Sequence, residues 1–411
     1  MEHIDVVVVG AGISGIGAAY NLKTRCPDKS YTILEGRSNL GGTWDLFKYP
    51  GIRSDSDMHT MGFKFKPWRS PKTIADAPSI LSYLNETVDE FDLRKKIQFN
   101  KKVIAAKWSS LEALWNLQVE DQSNKTVLEM TCNILYLCGG YYNYDEGYTP
   151  EFKNVEAFEG QVIHPQKWPE DLDYTDKEVI VIGSGATAVT IVPSMAEKVK
   201  HITMLQRSPT YYFAAPDEDK IGNFIKKFTT DRLGYFLVRW KNILLQRLML
   251  NRLRKNPEKT KEMLINHVRN HLGEDYDVDK HFTPKYMPWD QRLCFVPNGD
   301  MFNAMNEGKA SVVTDTIDEF TNQGIKLDSG EELKADIIIT ATGLNMRLLN
   351  GIDIKIDNET LDISQKTQYK TMMFSDVPNL IATFGYTTAS WTLGADLILS
   401  LIHISEPTRL L

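Results

Sequence analysis

Cysteine is scarce in this sequence, and its spacing excludes two common uses of the residue. The 411 residues include four cysteines, Cys26, Cys132, Cys138 and Cys294. No two of them stand at C-x-x-C or zinc-ligand spacing, so the sequence predicts neither a metal site nor a redox pair. We expect buried thiols in a reducing compartment.

Long apolar runs and an excess of positive charge are also missing. The absence of any run of about eighteen apolar residues excludes a membrane-spanning helix. The formal net charge of −7 argues against a nucleic-acid binder. A predicted strand begins almost at the first residue, which leaves no room for a signal peptide and favours a cytoplasmic location.

Glycine is present where a nucleotide-binding turn needs it. Residues 6–9 are an apolar run typical of a buried strand, and Gly10, Gly12 and Gly15 come next with G-x-G-x-x-G spacing before a helical pattern. Gly10 allows a tight turn, Gly12 lets a pyrophosphate approach the backbone, and Gly15 lets helix and strand pack closely. The next strand ends in Glu35, where an acid can accept hydrogen bonds from a ribose diol. The sequence therefore predicts a dinucleotide site at the start of the chain.

The loop after Glu35 is shaped by glycine and proline and carries aromatic and charged residues. Trp44 and Tyr49 are expected to wall a flat ring at the far end of the dinucleotide. Arg53 and Asp55 would supply charge there. The alternative is a surface loop with a buried tryptophan.

A second unit of the same kind begins with a strand at residues 179–182. Its turn has G-x-G-x-x-A spacing and consists of Gly183, Ser184, Gly185, Ala186, Thr187 and Ala188. The next strand, at 201–205, leads into Gln206, Arg207 and Ser208 and has no acid at its end. Arg207 would attract a ribose 2′-phosphate and Ser208 can donate a hydrogen bond to it, which predicts NADPH rather than NADH.

These patterns predict an α/β fold with two dinucleotide-binding, Rossmann-like domains. The first part of the first domain covers residues 1–145, and the second domain covers 146–334. Residues 335–398 are expected to return to the first domain, beginning with a strand at 335–339 that joins its sheet.

A helical, basic insert is predicted at about 215–280, within the second domain. It is either a membrane-surface helix or an insert that packs its apolar face on the core. The second is favoured, and the insert lies where a substrate lid would be.

Longer motifs narrow the family. Residues 158–169, which contain His164 and Trp168, match F-x-G-x-x-x-H-x-x-x-W-P, and residues 41–55 match G-G-x-W-x-x-x-x-Y-P-G-x-x-x-D. The chain thereby resembles the class B flavin monooxygenases in their Baeyer–Villiger form. Four shorter runs resemble a mycobacterial branch of that family, at 49–57, 141–148, 181–190 and 289–293.

The resemblance implies FAD in the first unit, NADPH in the second, and O2 and a small ketone or sulfur compound as substrates. The implied FAD contacts are Ser14, Glu35, Thr43, Trp44 and Val103, with Gly42, Arg53, Ser54 and Asp55 completing the predicted cofactor site. Peripheral contact with the inner face of the cell membrane stays open, and no oligomeric state is predicted.

The resemblance also implies two catalytic residues. Arg292 resembles the family's active-site arginine, and Asp55 its carboxylate partner. A fixed cation favours the deprotonated flavin peroxide and stabilises an oxyanion. Some members carry a lysine before the arginine to hold the 2′-phosphate, where this chain has Gln291, so Arg207 must do more of that work. His164 either couples NADPH placement to domain closure or is a structural linker residue.

Three alternatives remain. One is a sulfur- or nitrogen-oxygenating flavin monooxygenase, and another is a disulfide reductase, which lacks its cysteine pair here. The third is an inactive remnant, because residues 399–411 do not resemble the family and read like a translated sequencing adapter. We therefore expect a truncated gene fused to read-through, with a natural short C-terminus as the other explanation.

Overall fold

In the computed structural model, a set of parallel strands lies behind each glycine-rich turn. Residues 2–291, 293–386 and 389–400 are described, the last of them without its side chain. The helices are α1 (Ile13–Arg25), α2 (Thr43–Leu46), α3 (Met58–Met61), α4 (Ala77–Glu90), α5 (Ala186–Met195), α6 (Lys220–Lys227), α7 (Asp231–Lys255), α8 (Pro257–Leu272), α9 (Val278–Phe282), α10 (Asp300–Asn306) and α11 (Trp391–Ser400).

The strands of the N-terminal third are β1 (Glu2–Val9), β2 (Tyr31–Leu34), β3 (Ile97–Gln98), β4 (Lys101–Ser109), β5 (Leu114–Asp121), β6 (Val127–Leu137) and β7 (Tyr142–Gly147). The strands of the middle third are β8 (Gln161–Ile163), β9 (Glu178–Ile182), β10 (His201–Gln206), β11 (Tyr211–Ala215), β12 (Leu293–Pro297), β13 (Ala310–Thr314), β14 (Ile317–Thr321), β15 (Gly324–Leu327), β16 (Glu332–Lys334) and β17 (Ile337–Thr340). The last strands are β18 (Leu344–Met346), β19 (Asp353–Ile356), β20 (Glu359–Thr360), β21 (Gln368–Tyr369), β22 (Met373–Phe374) and β23 (Leu380–Ala382).

The longest strand of the first sheet, β6, takes part in both a parallel and an antiparallel set of strands. The second half of β6 lies in a parallel set with the order β3-β2-β1-β6-β23, and its first half continues into the antiparallel meander β6-β5-β4. Strand β1 is buried on both faces, because Val7 packs into the cluster on one face and Val8 into the cluster on the other. A continuous apolar run is what such a strand requires. The predicted first dinucleotide unit is therefore confirmed.

The second sheet is parallel throughout, with the order β13-β10-β9-β17-β8. Strand β17 pairs with β9 and β8. The prediction that a strand at 335–339 returns to the first sheet is thus wrong, and the second domain runs past residue 334. The physical reason is the meander β14-β15-β16 just before it, whose Phe320 and Ile325 pack with Ile338 on the second sheet and hold the chain there. The strand that does return is β23, which pairs with β6.

The chain crosses between the two domains through a two-stranded antiparallel ribbon. Strand β7 leaves the first domain and β18 comes back beside it. An ion pair of 2.9 Å between Arg347 Nη1 and Asp145 Oδ2 closes its end nearest the first sheet. The sequence predicts only a domain boundary at this connection, so its regular pairing is a feature that the structure adds.

The predicted helical insert is present as α6 to α9, but its packing differs from the prediction. Helix α7 packs on the first domain through Tyr235 and through Arg239, whose guanidinium donates to the carbonyl of His59, and α8 packs on the second through Val268. A second apolar stripe on α6 and α7, which includes Phe228 and Trp240, stays exposed. Packing of the apolar face on the core is therefore correct for one side of the insert. None of the helices in the described ranges combines the length and the apolar character needed to cross a bilayer.

The structure describes only the first two residues of the predicted C-terminal tail, 399 and 400. Helix α11 continues through Leu399 to Ser400, and Leu399 is buried. The remainder of the predicted tail, residues 401–411, lies outside the described residues, and so do residues 387 and 388.

Candidate active site

The first glycine-rich turn joins β1 to α1 and packs closely against neighbouring backbone. Gly10 has φ +100°, and a Cβ there would lie 3.0 Å from the Cα of Gly139. A Cβ on Gly15 would lie 1.9 Å from the carbonyl oxygen of Gly10. Gly12 is the N-cap of α1 and gives it no side-chain cap, and the first turn has no acidic residue. The first N–H groups of a thirteen-residue helix thus face the cleft without a side-chain acceptor, which suits a pyrophosphate.

Glu35 comes directly after β2 and is buried beside this turn. One carboxylate oxygen accepts a hydrogen bond from the backbone N–H of Ala11 (2.7 Å) and the other from that of Arg37 (3.0 Å). Burial raises the pKa of the carboxyl, although these two hydrogen bonds oppose the shift. Glu35 lines the cleft, and each oxygen keeps a lone pair that a ribose hydroxyl can use.

The predicted residues on the next loop also reach the cleft. Gly42, Thr43 and Trp44 line it, with Thr43 and Trp44 on the short helix α2. The guanidinium of Arg37 fixes this segment, because it donates to the carbonyl of Gly42 and to a carboxylate oxygen of Asp45 at 2.6 Å.

Tyr49 is placed differently from the prediction. Together with Phe47 it is buried among the core residues of the second domain, and it does not line the cleft. Burial raises the pKa of its phenol to about 12. The predicted role of Tyr49 as a wall for a flat ring is therefore wrong, whereas Trp44 does lie at the cleft. The reason is that the loop carrying both residues turns away after α2 and enters the neighbouring domain.

Arg53, Ser54 and Asp55 divide between two environments. Arg53 Nη1 pairs with Asp300 Oδ2 at 2.7 Å, at the start of α10 in the second domain, and the arginine does not line the cleft. Ser54 and Asp55 do line it. The hydroxyl of Ser54 donates to the carbonyl of Ser56 at 2.8 Å, so this segment is held by local hydrogen bonds.

One cleft of about 1390 Å³ connects the first turn to the insert. Ser14 and Val103 lie along it, and the indole of Trp391 donates to the Ser14 hydroxyl at 3.0 Å. The volume exceeds what a drug-sized ligand needs and suits a dinucleotide with room to spare. Lining residues that sequence reasoning missed include Tyr141, Tyr144 and Trp391 and, on α7, Lys241, Asn242, Leu245 and Gln246. Their signal was weak, because they belong to elements whose position depends on tertiary packing.

The segment around Arg292 reaches the same cleft. Trp289, Asp290, Gln291 and Leu293 line it. Arg292 itself lies outside the described residues, so its predicted pairing with Asp55 stays a prediction.

The second glycine-rich turn has the geometry of the first. Gly183 has φ +127°, and a Cβ there would lie 2.4 Å from the carbonyl oxygen of Ala341. Gly185 is the N-cap of α5, which starts at Ala186 and has neither a side-chain cap nor an acidic residue in its first turn. No heavy atom lies within 4 Å of a Cβ placed on Gly185. The ten-residue helix α5 therefore presents free N–H groups to an open space beside Thr187 and Ala188.

Arg207 and Ser208 come directly after β10 and are exposed beside this turn. The hydroxyl of Ser184 lies 3.4 Å from the carbonyl oxygen of Ser208 and 3.0 Å from the Thr210 hydroxyl. The Arg207 guanidinium forms no ion pair with the residues that the structure describes, which leaves its donors available to a phosphate. The structure thus brings the predicted 2′-phosphate residues next to the predicted turn.

His164 lies at the interdomain ribbon, and neither His164 nor Trp168 lines the cleft. His164 Nε2 lies 3.2 Å from the carbonyl oxygen of Gly343, and Nδ1 accepts from the backbone N–H of Gln166. Burial lowers the pKa of His164, which favours the neutral form of the ring. Trp168 is half-buried against the second core. Both interpretations of His164 remain compatible with this position.

Comparison with known proteins gives consistent results. The sequence matches the family described as flavin-binding monooxygenase-like over residues 4–373. It is 54% identical to the FAD-containing monooxygenase EthA of Mycobacterium tuberculosis, over 97% of this chain and 81% of the relative. It is 49% identical to the probable FAD-binding monooxygenase AlmA of Acinetobacter baylyi, over 96% of this chain and 79% of the relative.

Two solved structures share the fold. A steroid monooxygenase bound to NADP superposes with a TM-score of 0.81 at 21% identity, over 98% of this chain and 84% of that one. A cyclohexanone monooxygenase bound to ε-caprolactone also gives 0.81, at 22% identity, over 99% of this chain and 88% of that one.

Proposed function

The chain belongs to the flavin-binding monooxygenase-like family, and from this premise we propose that it is an FAD-containing, NADPH-dependent Baeyer–Villiger monooxygenase. Such an enzyme inserts one oxygen atom of O2 next to a ketone carbonyl and forms an ester. Membership confirms the resemblance read from the sequence motifs, and the 54% identity to mycobacterial relatives confirms the branch.

The residues present fit both cofactors. At the first turn, the uncapped N-terminus of α1 would hold the FAD pyrophosphate, and Glu35 would hold its ribose. At the second, the uncapped N-terminus of α5 would hold the NADPH pyrophosphate, and Arg207 and Ser208 its 2′-phosphate. When bound, NADPH would supply the reducing equivalents, and the flavin ring of FAD would supply the chemistry that transfers oxygen to the substrate.

The observation that carries the proposal is a continuous cleft that reaches from the first turn to Gln291 and Leu293, on either side of residue 292. Gln291 and Leu293 line this cleft together with Asp55. A guanidinium at position 292 would remain protonated throughout turnover, stabilise negative charge that develops on oxygen, and be oriented by a carboxylate at Asp55. Asp55 would thereby act as a positioning residue for Arg292.

The ketone as substrate is supported by the chemistry of a structural neighbour. That neighbour is named for cyclohexanone and is bound to ε-caprolactone, which is the cyclic ester formed when an oxygen atom enters the ring of cyclohexanone. We further propose a cytoplasmic location, because NADPH is the reductant, and peripheral contact of the insert with the inner face of the cell membrane.

The test combines cofactor content, oxygen consumption and product analysis. The purified protein should be yellow, consume O2 with NADPH and convert methyl ketones to esters. Arg292→Ala should still be reduced by NADPH but should lose ester formation by roughly a hundredfold or more, as expected for loss of a group that stabilises an oxyanion. The matched control is Arg269→Ala, which removes a half-buried arginine from α8 that pairs with Asp279 and does not line the cleft; this variant should form ester at the wild-type rate.

Two outcomes would reject parts of the proposal. Ester formation that survives in Arg292→Ala would remove the role of Arg292. A wild-type protein that oxidises thioethers or amines but no ketone would assign the chain to the sulfur- or nitrogen-oxygenating members of the family instead.

A further inference from the structure

The helical insert carries an exposed apolar surface that the fold does not use. Its largest members are Phe224, Phe228, Phe236, Trp240, Leu244 and Leu248, which we call the insert stripe, and each is between 48% and 75% exposed. Phe224 lies on α6 and Phe228 is the C-cap residue of that helix. The other four are every fourth residue of α7, on the face opposite the buried Tyr235. Within the stripe, the rings of Phe224 and Phe228 are in contact, as are those of Phe236 and Trp240. Exposed large apolar side chains that are grouped in this way are characteristic of an interaction site.

The charge around the insert stripe is opposite in sign to that of the whole chain. Between Lys220 and Lys261 the sequence has twelve lysines and arginines and two acidic residues, whereas the full chain carries a net charge of −7. Several of these bases, including Lys227, Arg247 and Arg254, are exposed beside the stripe. Large apolar side chains between exposed cations are typical of a helix that lies in the interface of an anionic bilayer.

The same charge disfavours a second copy of this chain as the occupant. A two-fold symmetric contact would place one insert against the other, and each insert carries the same strong positive charge. Like charges face each other unfavourably at an interface, whereas anionic lipid headgroups complement them.

The insert stripe is continuous with the mouth of the cleft. On α7, Lys241, Asn242, Leu245 and Gln246 line the cleft, while Leu244 and Leu248 lie on the stripe one turn apart. Leu245 is 53% exposed and lines the cleft, so it lies at the edge where the two surfaces meet. The amides of Asn242 and Gln246 each donate to Asp57 at 2.9 Å, which fixes this edge to the loop that carries Asp55.

We propose that the insert stripe docks on an anionic lipid bilayer and admits an apolar substrate from the bilayer to the cleft past Leu245. The substrate class is a long-chain ketone or thioether that partitions into lipid. This inference rests on the proposed monooxygenase function for the oxidation step, whereas the docking itself depends on the surface alone.

The first experiment measures docking without catalysis. The full chain loaded with FAD is sedimented with vesicles of equimolar phosphatidylglycerol and phosphatidylcholine, and with vesicles of phosphatidylcholine alone. Binding should favour the anionic vesicles and weaken with salt. The double variant Leu244→Ser/Leu248→Ser should bind at least roughly tenfold more weakly, because two half-exposed leucines no longer enter the lipid. The control Leu111→Ser changes a leucine that is 97% exposed on the first domain and should bind as the wild type does.

The second experiment measures delivery. A short, water-soluble methyl ketone and a long-chain methyl ketone dissolved in the anionic vesicles are offered separately. Leu244→Ser/Leu248→Ser should oxidise the first at the wild-type rate and the second several-fold more slowly. Equal slowing of both ketones would refute delivery from the bilayer.

Three results separate the possible failures. Vesicle binding that is independent of lipid charge or unaffected by the double variant overturns the proposal. A wild-type dimer that the double variant converts to monomer, with no vesicle binding, also overturns it in favour of a second copy. Charge-dependent vesicle binding by a protein that oxidises no substrate keeps the docking surface and rejects the monooxygenase function instead.

Discussion

At the scale of single residues, the two nucleotide-binding units end in side chains of opposite charge, and this difference predicts their ligands. Glu35 ends the first unit with a buried carboxylate that already accepts two backbone hydrogen bonds. The second unit ends with Arg207, which is exposed beside Ser208. An acid repels a 2′-phosphate and a guanidinium attracts it, so we propose that Arg207 sets the preference for NADPH over NADH.

Arg207→Ala should therefore raise the Michaelis constant for NADPH by about tenfold to a hundredfold, the range expected for the loss of charge-assisted hydrogen bonds. The constant for NADH should hardly change. Steady-state oxidation of both cofactors measures this, with Arg269→Ala as the control. An unchanged ratio between the two cofactors would refute the phosphate assignment.

His59 is a second residue with a measurable effect. It is fully buried on α3, with Lys226 Nζ 3.5 Å from Nε2 and Asp57 Oδ1 3.9 Å from Nδ1. Burial lowers the pKa of His59 to about 4. The nearby cations Lys226 and Lys241 lower it further, whereas the carboxylates of Asp57 and Asp219 oppose the shift. In the unfolded chain its pKa is near 6.5, so the unfolded state binds the proton more tightly.

Stability should consequently fall as the pH is lowered from about 6.5 towards 4, by about 2–3 kcal/mol from this group. His59→Gln cannot take up a proton and should lose this part of the pH dependence. Urea unfolding at a series of pH values measures it. His3→Gln, on the surface, should keep the wild-type profile, and a His59→Gln profile parallel to that of the wild type would contradict the argument.

At the scale of elements, the loop after α2 also packs against the second domain. Phe47 and Tyr49 enter the core of the second domain, and Gly51 passes close to α5. Gly51 has φ +75°, and a Cβ there would lie 1.8 Å from the Ser194 hydroxyl oxygen. The loop is thus a contact between domains that depends on the absence of a side chain at residue 51.

Gly51→Ala should cost about 2–3 kcal/mol of stability, from backbone strain and from a collision with α5. Gly308→Ala is the matched control, because Gly308 has φ +72° with no atom within 4 Å of its Cβ, and it should cost only the strain, about 1 kcal/mol. Denaturant unfolding measures both.

Ser194→Gly removes the colliding side chain and should restore part of the loss in a double-mutant cycle. If Gly51→Ala and Gly308→Ala cost the same, the collision does not matter and the loop does not fix the domains as described.

At the scale of the whole molecule, the two domains are joined by the insert, whose α7 packs on the first core and α8 on the second, and by three further features. The chain crosses in the ribbon of β7 and β18, the loop at Phe47 and Tyr49 packs into the second core, and Arg53 pairs with Asp300. The Nε and Nη2 atoms of Arg53 are buried without a hydrogen-bond partner in the described part of the chain. Burial raises the pKa of Asp300, and the charge of Arg53 opposes that shift. The ion pair therefore compensates two charges that domain packing has partly removed from water.

Arg53→Met should destabilise the protein by about 2–3 kcal/mol, because Asp300 then remains partly buried without its partner. Arg53→Met/Asp300→Leu should recover much of this loss. As a control, Lys309→Met breaks exposed pairs with Glu197 and Glu307 and should destabilise the protein much less than Arg53→Met does, because solvent screens these pairs. Urea unfolding of the set measures the coupling, and a double variant no more stable than Arg53→Met would show that the pair does not act as a unit.

Local sequence determined the two nucleotide units, because their requirements are local. A buried strand needs an apolar run, a tight turn needs Gly10 or Gly183 at positive φ, and a phosphate needs an uncapped helix start within a few residues. All three requirements fall within about ten consecutive positions. The family was evident from longer motifs of the same local kind.

Tertiary structure decided what depends on distant partners. An apolar strand such as Ile337–Thr340 fits either parallel sheet, and packing of the preceding meander assigned it to the second. From the sequence, Tyr49 is expected at the cleft, but in the structure it is buried in the core of the second domain. The pairing of Arg53 with Asp300 joins positions that no sequence period relates. The helices and the positive charge of the insert could be predicted from the sequence. Only the tertiary structure determined which apolar face of the insert is buried and which stays exposed beside the cleft.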